Sequence, residues 1–472
     1  MWINSRLSTP QALLVIRLQS RCAHSYENTW QAAECELLSA LEVSVPPDRE
    51  LREITLPYGD RELTVHLPAS NLMAVRSPHP VTPCSDPAAE LERALRSPIG
   101  APPLALAARG ARRAVIIADD LTRQTPVRIM IPALLEEINA AGVPDDGISV
   151  LIALGTHRPM TPEEIDDRFG WEVTGRVVVL NNRWRDPAQL ADLGITPNGT
   201  PIQLGRPAVE ADFLIGLGSI IPHHISGFSG GAKIVQPGIC GATTTGATHY
   251  FSTRTRRSYL GLVENLVRAE MEAIADHVGL RAVFNVVLDG AGRLVRAFYG
   301  DPQLAFRAGV ELASRVYGVA LPAQAEIVIA GSHPCDIDFW QAHKSLYPAD
   351  LCVRDGGTVI VVAPCPEGVS VTHPTMLNFT ALDAEEIKTR IEAGDIQDVV
   401  SGGLALAWAK MRQRARIGLV SHGIAEEETR ALGFTPFASL EAALAEALRR
   451  HGPQARVTVL THAPEMLPML TT

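Results

Sequence analysis

The sequence is poor in several features, and each deficit argues against a class of protein. No apolar run approaches the roughly 20 residues that a membrane-spanning helix needs, which disfavours an integral membrane protein. Seven cysteines lie scattered over 472 residues without a Cys-x-x-Cys pair, so we expect reduced thiols in a cytoplasmic protein rather than a disulfide framework. Positive charge is also in deficit. The net charge of −10 disfavours nucleic acid and anionic membranes as partners.

The first 26 residues contain no acidic side chain but three arginines, Arg6, Arg17 and Arg21. This composition weakly resembles an amphipathic transit segment, although the apolar stretch is short for a signal peptide and no convincing cleavage site follows it. We predict that residues 1–50 form an N-terminal extension without a role in the fold.

The rest of the chain alternates short apolar strands with segments of helical spacing. One series runs over residues 113–224, and a second, with shorter and more closely spaced strands, begins near Ala325. Buried strands separated by helices are typical of parallel or mixed sheets with helices on their faces. We therefore predict an α/β fold with two domains, each a parallel or mixed sheet flanked by helices, and an active site in the interdomain cleft.

The predicted domain boundaries follow the breaks in this pattern. We assign residues 51–315 to an N-terminal domain and residues 322–460 to a smaller, Rossmann-like C-terminal domain, because "YGVALPAQ" interrupts the alternation. Two local signals lie in the first domain. The turn residues at 58–60 predict a β-hairpin, and Thr161 with Glu164 predicts a capped helix start.

Polar residues follow three strands of the first series at their carboxyl ends. They are "DDLTRQTP" at 119–126, "GTHR" at 155–158 and "PHHISGFSGGAK" at 222–233. Ligands of open α/β sheets bind at the carboxyl ends of the strands, so we expect these three stretches to form one site.

The glycine-rich stretch suggests a phosphate site but fails as a nucleotide-hydrolysing loop. A P-loop needs Gly-Lys-Ser/Thr, whereas Ala232 precedes Lys233 and Ile234 follows it, so the magnesium-binding hydroxyl is absent. A backbone anion site over Gly227–Gly231 and a tight turn beside a solvated lysine account equally well for the remaining pattern.

Three histidines stand at predicted strand ends or beyond the glycine-rich loop: His157, His223 and His249. Imidazole can accept and donate a proton near neutral pH, and it also binds nickel, copper, iron or zinc. His157 and His223 follow different strands and could face opposite sides of a substrate. We interpret His224 as structural, because adjacent side chains point in different directions.

Two further segments have both a functional and a structural interpretation. Asp119, Asp120 and Arg123 could bind magnesium or an organic carboxylate, with Arg123 favouring the carboxylate, or they could simply precede a helix. Gln341 and Lys344 share one face if their segment is helical, and alone they indicate an ordinary amphipathic helix.

Taken together, the motifs resemble those of the nickel-dependent lactate racemases. The match covers about residues 51–411 and rests on their order in the chain: "LPYGD", "DDLTR", "GTHR", "PHHISGFSGGAK", "QPGI", His249, "WQAHK" and Trp408. The resemblance implies a racemase or epimerase of a lactate-like 2-hydroxy acid. It also implies that the first domain is catalytic and tethers the cofactor.

The cofactor implied is a nickel-pincer nucleotide, a pyridinium-3,5-bisthiocarboxylic acid mononucleotide that holds nickel. By the same resemblance, Lys233 is its covalent tether and His249 its protein ligand to nickel. The ribose-phosphate part would be held by Asp120, Gly227, Ser229, Gly230 and Gly231. Hydride would leave the substrate for the cofactor and return to either face of a 2-oxo acid.

The resemblance assigns the catalytic bases to His157 and His223, and the substrate contacts to Arg123, Trp340, Gln341, Lys344 and Trp408. Trp340 stands where the family has a tyrosine-like residue, and Ser226 precedes the first glycine, so the pocket is expected to differ in shape. Separate maturation proteins would supply the cofactor, and a homo-oligomer is compatible with the sequence. The alternatives are a nucleotide- or anion-binding protein without turnover and, less favoured, a zinc hydrolase, for which no close ligand spacing exists.

Overall fold

The computed structural model describes residues 50–471, so the predicted N-terminal extension lies outside the described residues apart from Glu50. The strands of this part are β1 Leu51–Tyr58, β2 Arg61–Pro68, β3 Leu72–Arg76, β4 Ala114–Asp119, β5 Ile148–Ala153, β6 Val178–Asn181, β7 Leu190–Ile195, β8 Pro201–Gly205, β9 Phe213–Ser219, β10 Pro222–His223, β11 Gly227–Phe228, β12 Leu280–Leu288, β13 Leu294–Gly300, β14 Gly318–Leu321, β15 Ala325–Gly331, β16 Val353–Val362, β17 Arg416–Val420, β18 Thr435–Phe437, β19 Val457–Leu460 and β20 Leu467–Leu470.

The α-helices of the same residues are α1 Pro87–Arg96, α2 Leu104–Ala107, α3 Val127–Ala140, α4 Pro162–Phe169, α5 Trp171–Thr174, α6 Arg206–Val209, α7 Ala242–Ser252, α8 Leu266–Val278, α9 Leu304–Tyr317, α10 Phe339–Ala342, α11 Leu346–Cys352, α12 Ala384–Glu392, α13 Val399–Arg412, α14 Glu426–Ala431 and α15 Leu440–His451. None of the helices described is long and apolar enough to cross a membrane.

The first large sheet has six strands in the order β13-β12-β9-β4-β5-β6. Its strands are parallel except for β13, which pairs antiparallel with β12. Along β4, Val115 and Ile117 enter one hydrophobic core while Ile116 and Ala118 enter the other. Helices therefore cover both faces, which explains why β4 and β9 are buried along their whole length.

The second large sheet is parallel throughout, in the order β18-β17-β16-β15-β19-β3. Its edge strand β3 comes from residues 72–76, and Leu56 and Leu67 of the β1–β2 hairpin share a core with Ile329 of β15. Residues that we had placed in the first domain thus pack against the second sheet. The division of the chain into domains at 51–315 and 322–460 stays a prediction. Strand β3 belongs to the first range in sequence but pairs with a strand of the second.

The fold class is confirmed: one mixed and one parallel sheet, each flanked by helices. The hairpin at 58–60 forms as expected, with Tyr58 paired to Arg61. The start of α4 is a capping box, because Thr161 Oγ1 accepts from the Glu164 amide at 3.2 Å and the Glu164 carboxylate accepts from the Thr161 amide at 2.8 Å. Since β4, β5 and β9 run parallel, the polar segments that follow them meet at one edge of the first sheet.

Candidate active site

A cleft opens at this edge, and the second half of the chain closes it. The loops after β4, β5 and β9 supply one wall, and the segment from α10 to α11 supplies the other. The described side chains that line it include Asp120, Arg123, His157, His223, Ser229, Lys233, His249, Trp340, His343 and Lys344. Nine of these ten are residues that the sequence analysis had singled out, and His343 is the exception.

His157 is held as a neutral base. Its Nδ1 lies 2.6 Å from Asp120 Oδ2, and its Nε2 lies 3.0 Å from the amide nitrogen of Gln341. Because the amide donates to Nε2, the ring proton sits on Nδ1 and is donated to Asp120. Burial lowers the pKa of His157, although Asp120 opposes this shift. The nitrogen that faces Gln341 therefore carries a lone pair for a substrate proton.

Asp120 is the residue that orients His157. Its Oδ1 accepts from the amide and hydroxyl of Thr122, at 3.1 and 2.6 Å. Burial by itself would raise the pKa of Asp120, but the charge and hydrogen bonds of His157 and Thr122 outweigh it and hold the pKa well below its usual range. Both oxygens are occupied by protein groups, so the assignment of Asp120 to cofactor binding stays a prediction.

His223 is held in the opposite tautomer. Its Nδ1 accepts from the backbone amide of Ile225 at 3.2 Å, so the proton of the neutral ring sits on Nε2. Burial lowers its pKa well below the ordinary value, and Lys233 and His224 add to the shift. The cleft thus contains two neutral imidazoles, one whose Nε2 lone pair accepts from Gln341 and one whose Nε2 carries the proton.

Lys233 enters the cleft from the short 3-10 turn Gly231–Ile234 that ends the glycine-rich loop. Burial lowers the pKa of its amine well below the usual value, and the nearby charges of Arg123 and Lys344 lower it further. A lowered pKa favours the neutral amine, which is the nucleophilic form of a lysine.

The glycine-rich loop itself is more tightly held than a phosphate loop. Ser229 and Gly230 line the cleft, but Gly227 and Gly231 do not. A Cβ on Gly227 would lie 2.1 Å from a carbonyl oxygen, and one on Gly231 would lie 2.9 Å from the ring of Phe306, so both glycines allow close packing inside the protein. The predicted anion site therefore narrows to Ser229 and Gly230.

Arg268 fixes the shape of this loop, although no motif in the sequence marks it. This α8 residue is almost fully buried, and its guanidinium donates to the backbone carbonyls of Ser226, Phe228 and Gly230. These hydrogen bonds hold the carbonyl groups of the loop in fixed positions. The signal missed was a charged residue on the apolar face of a helix.

His249 lies on α7 with one nitrogen occupied and the other free. Its Nδ1 donates to the Thr245 carbonyl at 2.8 Å, and burial lowers its pKa to about 4. A neutral imidazole oriented through Nδ1 presents Nε2 as a metal ligand. Helix α7 packs closely on α13, where added Cβ atoms on Gly246 or Gly403 would lie 3.0 Å from Val399 or from the backbone of His249.

Two cationic side chains of the cleft could together hold an anion, and we call them the anion grip. Arg123 and Lys344 both line the cleft, and Lys344 donates to the side-chain oxygen of Gln341. Burial lowers the pKa of Lys344 to about 8, with Arg123 contributing, so the amine is mostly charged at neutral pH. Trp340 also lines the cleft, with its ring stacked 3.9 Å from that of His373.

Two histidines near the cleft, His343 and His373, were not singled out in the sequence, whereas His224, interpreted there as structural, also lines the cleft. His373 joins the two halves, since its Nδ1 lies 2.6 Å from Asp398 and its Nε2 lies 3.0 Å from the hydroxyl of Thr156. His224 Nε2 and both nitrogens of His343 are buried without a hydrogen-bond partner among the residues described. Trp408, a predicted substrate contact, does not line the cleft but packs behind His343, with ring centroids 5.3 Å apart.

The fold and the cleft together describe an α/β protein in which two buried histidines, a buried lysine and two further cationic side chains line one cleft at the sheet edge. Comparisons with known proteins give the family. The lactate racemase N-terminal domain matches residues 58–261, and the lactate racemase C-terminal domain matches residues 320–465.

Individual relatives agree with these matches. A lactate racemase from Thermoanaerobacterium thermosaccharolyticum is 32% identical over 67% of this chain and 76% of its own length. One from Lactiplantibacillus plantarum is 28% identical over 86% of this chain and 97% of its own length. The structure of the T. thermosaccharolyticum apoprotein superposes with a TM-score of 0.80 at 27% identity, covering 89% of this chain and all of that one. The chain belongs to the lactate racemase family and is an isomerase.

Proposed function

We propose that the chain racemises or epimerises a lactate-like 2-hydroxy acid in this cleft. The observation that carries the proposal is the pair of neutral imidazoles, His157 and His223, whose segments lie on either side of the β4 end. A catalyst that works on both enantiomers needs a proton acceptor for the hydroxyl group of each. The names of the relatives support lactate as the first acid to test.

The substrate carboxylate fits the grip formed by Arg123 and Lys344. A guanidinium can hold a carboxylate through two parallel hydrogen bonds, and the ammonium adds a point charge. With the acid anchored there, His157 Nε2 takes the hydroxyl proton of one enantiomer, and Asp120 stabilises the imidazolium that forms. Gln341 holds His157 in place until the substrate hydroxyl replaces its amide.

Lys233 and His249 fit the nickel-pincer nucleotide that the family resemblance implies. A neutral lysine amine can form the covalent link, and the free Nε2 of His249 can ligate nickel. Residues 50–471 contain no group of three or more His, Cys, Asp or Glu side chains arranged to hold a metal, so the organic part would supply the other donors. When bound, this cofactor supplies a centre that accepts the α-hydrogen as hydride and returns it.

The lack of a metal-binding group of side chains among the described residues also argues against a zinc hydrolase. That enzyme would need His157, His223 and His249 to converge on one metal, and they form no such group among the residues described. We also propose that separate maturation proteins load the cofactor and that the protein is cytoplasmic. Five unpaired cysteines in the described residues support the latter.

The direct test is to produce the protein together with cofactor-maturation machinery and to incubate it with pure L-lactate and pure D-lactate. We expect each enantiomer to be converted to the racemic mixture, and chiral chromatography measures the conversion. If neither lactate nor any other 2-hydroxy acid changes configuration with the fully loaded protein, the chain is a binding protein and the proposal is wrong.

The pH dependence of kcat/KM tests the anion grip. Lys344 binds the carboxylate only as an ammonium, so kcat/KM should fall as the pH rises through about 8, the pKa of Lys344. In Lys344→Arg this fall should move above pH 10, because a guanidinium stays charged. Profiles of kcat/KM between pH 6 and 10 for both proteins decide the matter. Coinciding alkaline limbs would show that Lys344 does not control binding.

A further inference from the structure

A second, smaller cavity adjoins the cleft, with a volume of about 30 Å³. Arg123, His223 and Lys344 line both cavities, so the two meet at the groups that would hold the substrate. The far wall combines apolar residues, among them Leu260 and Leu288, with one acid, Glu465. A group attached to the anchored substrate could therefore reach this space.

Glu465 is the only carboxyl group among the described residues that line this cavity. It is 6% exposed, and its Oε2 has no hydrogen-bond partner in the part of the chain that the structure describes. Burial raises its pKa to about 7. An isolated buried carboxyl group costs folding free energy, which makes it a candidate for a functional contact.

The cations of the cavity do not satisfy this carboxyl group. The charged groups that act on Glu465 are His333 and Asp289, and neither Arg123 nor Lys344 is among them. Glu465, Arg123 and Lys344 thus line the same cavity, yet Glu465 Oε2 has no hydrogen-bond partner among the residues described. A polar group on the substrate would fill this gap.

We propose that Glu465 recognises a hydroxyl group on the side chain of the substrate, so that the preferred 2-hydroxy acid is a hydroxylated one. This inference rests on the proposed racemase function and narrows its substrate class. A hydroxyl group can donate to a carboxylate and also accept from a carboxylic acid, so it suits Glu465 in either protonation state.

Other side chains fit the cavity less well. A methyl or longer alkyl group would leave the Glu465 carboxyl group buried without a partner. A second carboxylate would place like charges together at Glu465. A bulky aromatic ring, like an alkyl group, offers the buried carboxyl group of Glu465 no hydrogen bond. A hydroxymethyl group or a single hydroxyl matches both the size and the chemistry.

The wild-type test compares acids that differ by one hydroxyl group. With the cofactor-loaded protein, kcat/KM is measured for glycerate against lactate and for 2,4-dihydroxybutanoate against 2-hydroxybutanoate. We expect a preference for the hydroxylated acid of roughly tenfold or more in at least one pair, the size expected for a hydrogen bond to a buried carboxyl group. Equal rates or a preference for the deoxy acids in both pairs would overturn the proposal.

The variant test assigns the preference to Glu465. Glu465→Leu should abolish it, whereas Glu465→Gln, which keeps the hydrogen-bonding side chain, should restore part of it. The matched controls are Glu326→Leu and Glu326→Gln, at the start of β15 and far from its carboxyl end, which should leave the ratio unchanged. An unaltered ratio in Glu465→Leu would overturn the assignment of the preference to Glu465.

Failure of the proposed racemase function can be distinguished from failure of the Glu465 proposal. If no acid is racemised at all, calorimetric binding of glycerate and lactate to wild type and Glu465→Leu still tests the contact. A preference for glycerate that the leucine variant loses would support the Glu465 site without turnover. Equal binding in both proteins would overturn it.

Discussion

Lys233→Ala should lose racemase activity by at least about 10³-fold and should carry no covalent cofactor. The amine is buried in the cleft, and burial lowers its pKa towards the neutral, nucleophilic form. A tether keeps the reacting centre at a high effective concentration, which can reach about 10⁵ M for well-oriented groups. Intact-mass spectrometry of protein produced with the maturation machinery should show an adduct on wild type and none on the variant.

His249→Ala provides the contrasting control. This variant retains Lys233, so the organic adduct should remain while nickel, measured by elemental analysis, is lost. Persistence of the adduct in Lys233→Ala would identify another residue as the tether. Unchanged nickel in His249→Ala would identify another ligand.

Replacing either His157 or His223 by alanine should slow racemisation by at least about 10²-fold, the low end for loss of a general base. Each variant should still remove the α-hydrogen from one enantiomer, and the two variants should prefer opposite enantiomers. Isotope exchange with each pure enantiomer, measured beside product chirality, separates these half-reactions. His66→Ala, on the β1–β2 hairpin, is the control and should behave as wild type.

The outcome that would contradict two-base chemistry is racemisation near the wild-type rate in either variant. The tautomers add a finer expectation. His157 already presents a lone pair, whereas His223 must give up the hydrogen bond from Ile225 before its Nε2 can act as a base. We therefore expect wild type to show unequal kcat values for the two directions.

The fold class and the family could be predicted from the sequence because both depend on local and ordered signals. Fully apolar strands such as β4 predict a sheet covered on both faces, and the motif order identifies the family. The placement of β3 could not be predicted in this way. Its five residues resemble any short strand, and only pairing with β19, almost 400 residues later, assigns it to the second sheet.

The candidate site was predictable in its residue types but not in its internal pairings. "DDLTR" and "GTHR" announce acids and a histidine, yet only the structure shows that Asp120 orients His157. Arg268 and Glu465 were missed for a common reason. Each is a single charged residue without a motif around it, and its meaning depends entirely on burial, which a single sequence does not display.

The contact between α7 and α13 at Gly246 and Gly403 links the position of His249 to the closure of the cleft. The helix that carries His249 belongs to the first half of the chain, and Gly246 and Gly403 let it meet a helix of the second half at backbone distance. Opening the cleft would separate α7 from α13. Under the proposed chemistry, Lys233 and His249, the two residues that would hold the cofactor, both belong to the first half of the chain. A cofactor held by them would stay with that half if the cleft opened, and closure of α13 onto α7 would shield it from water.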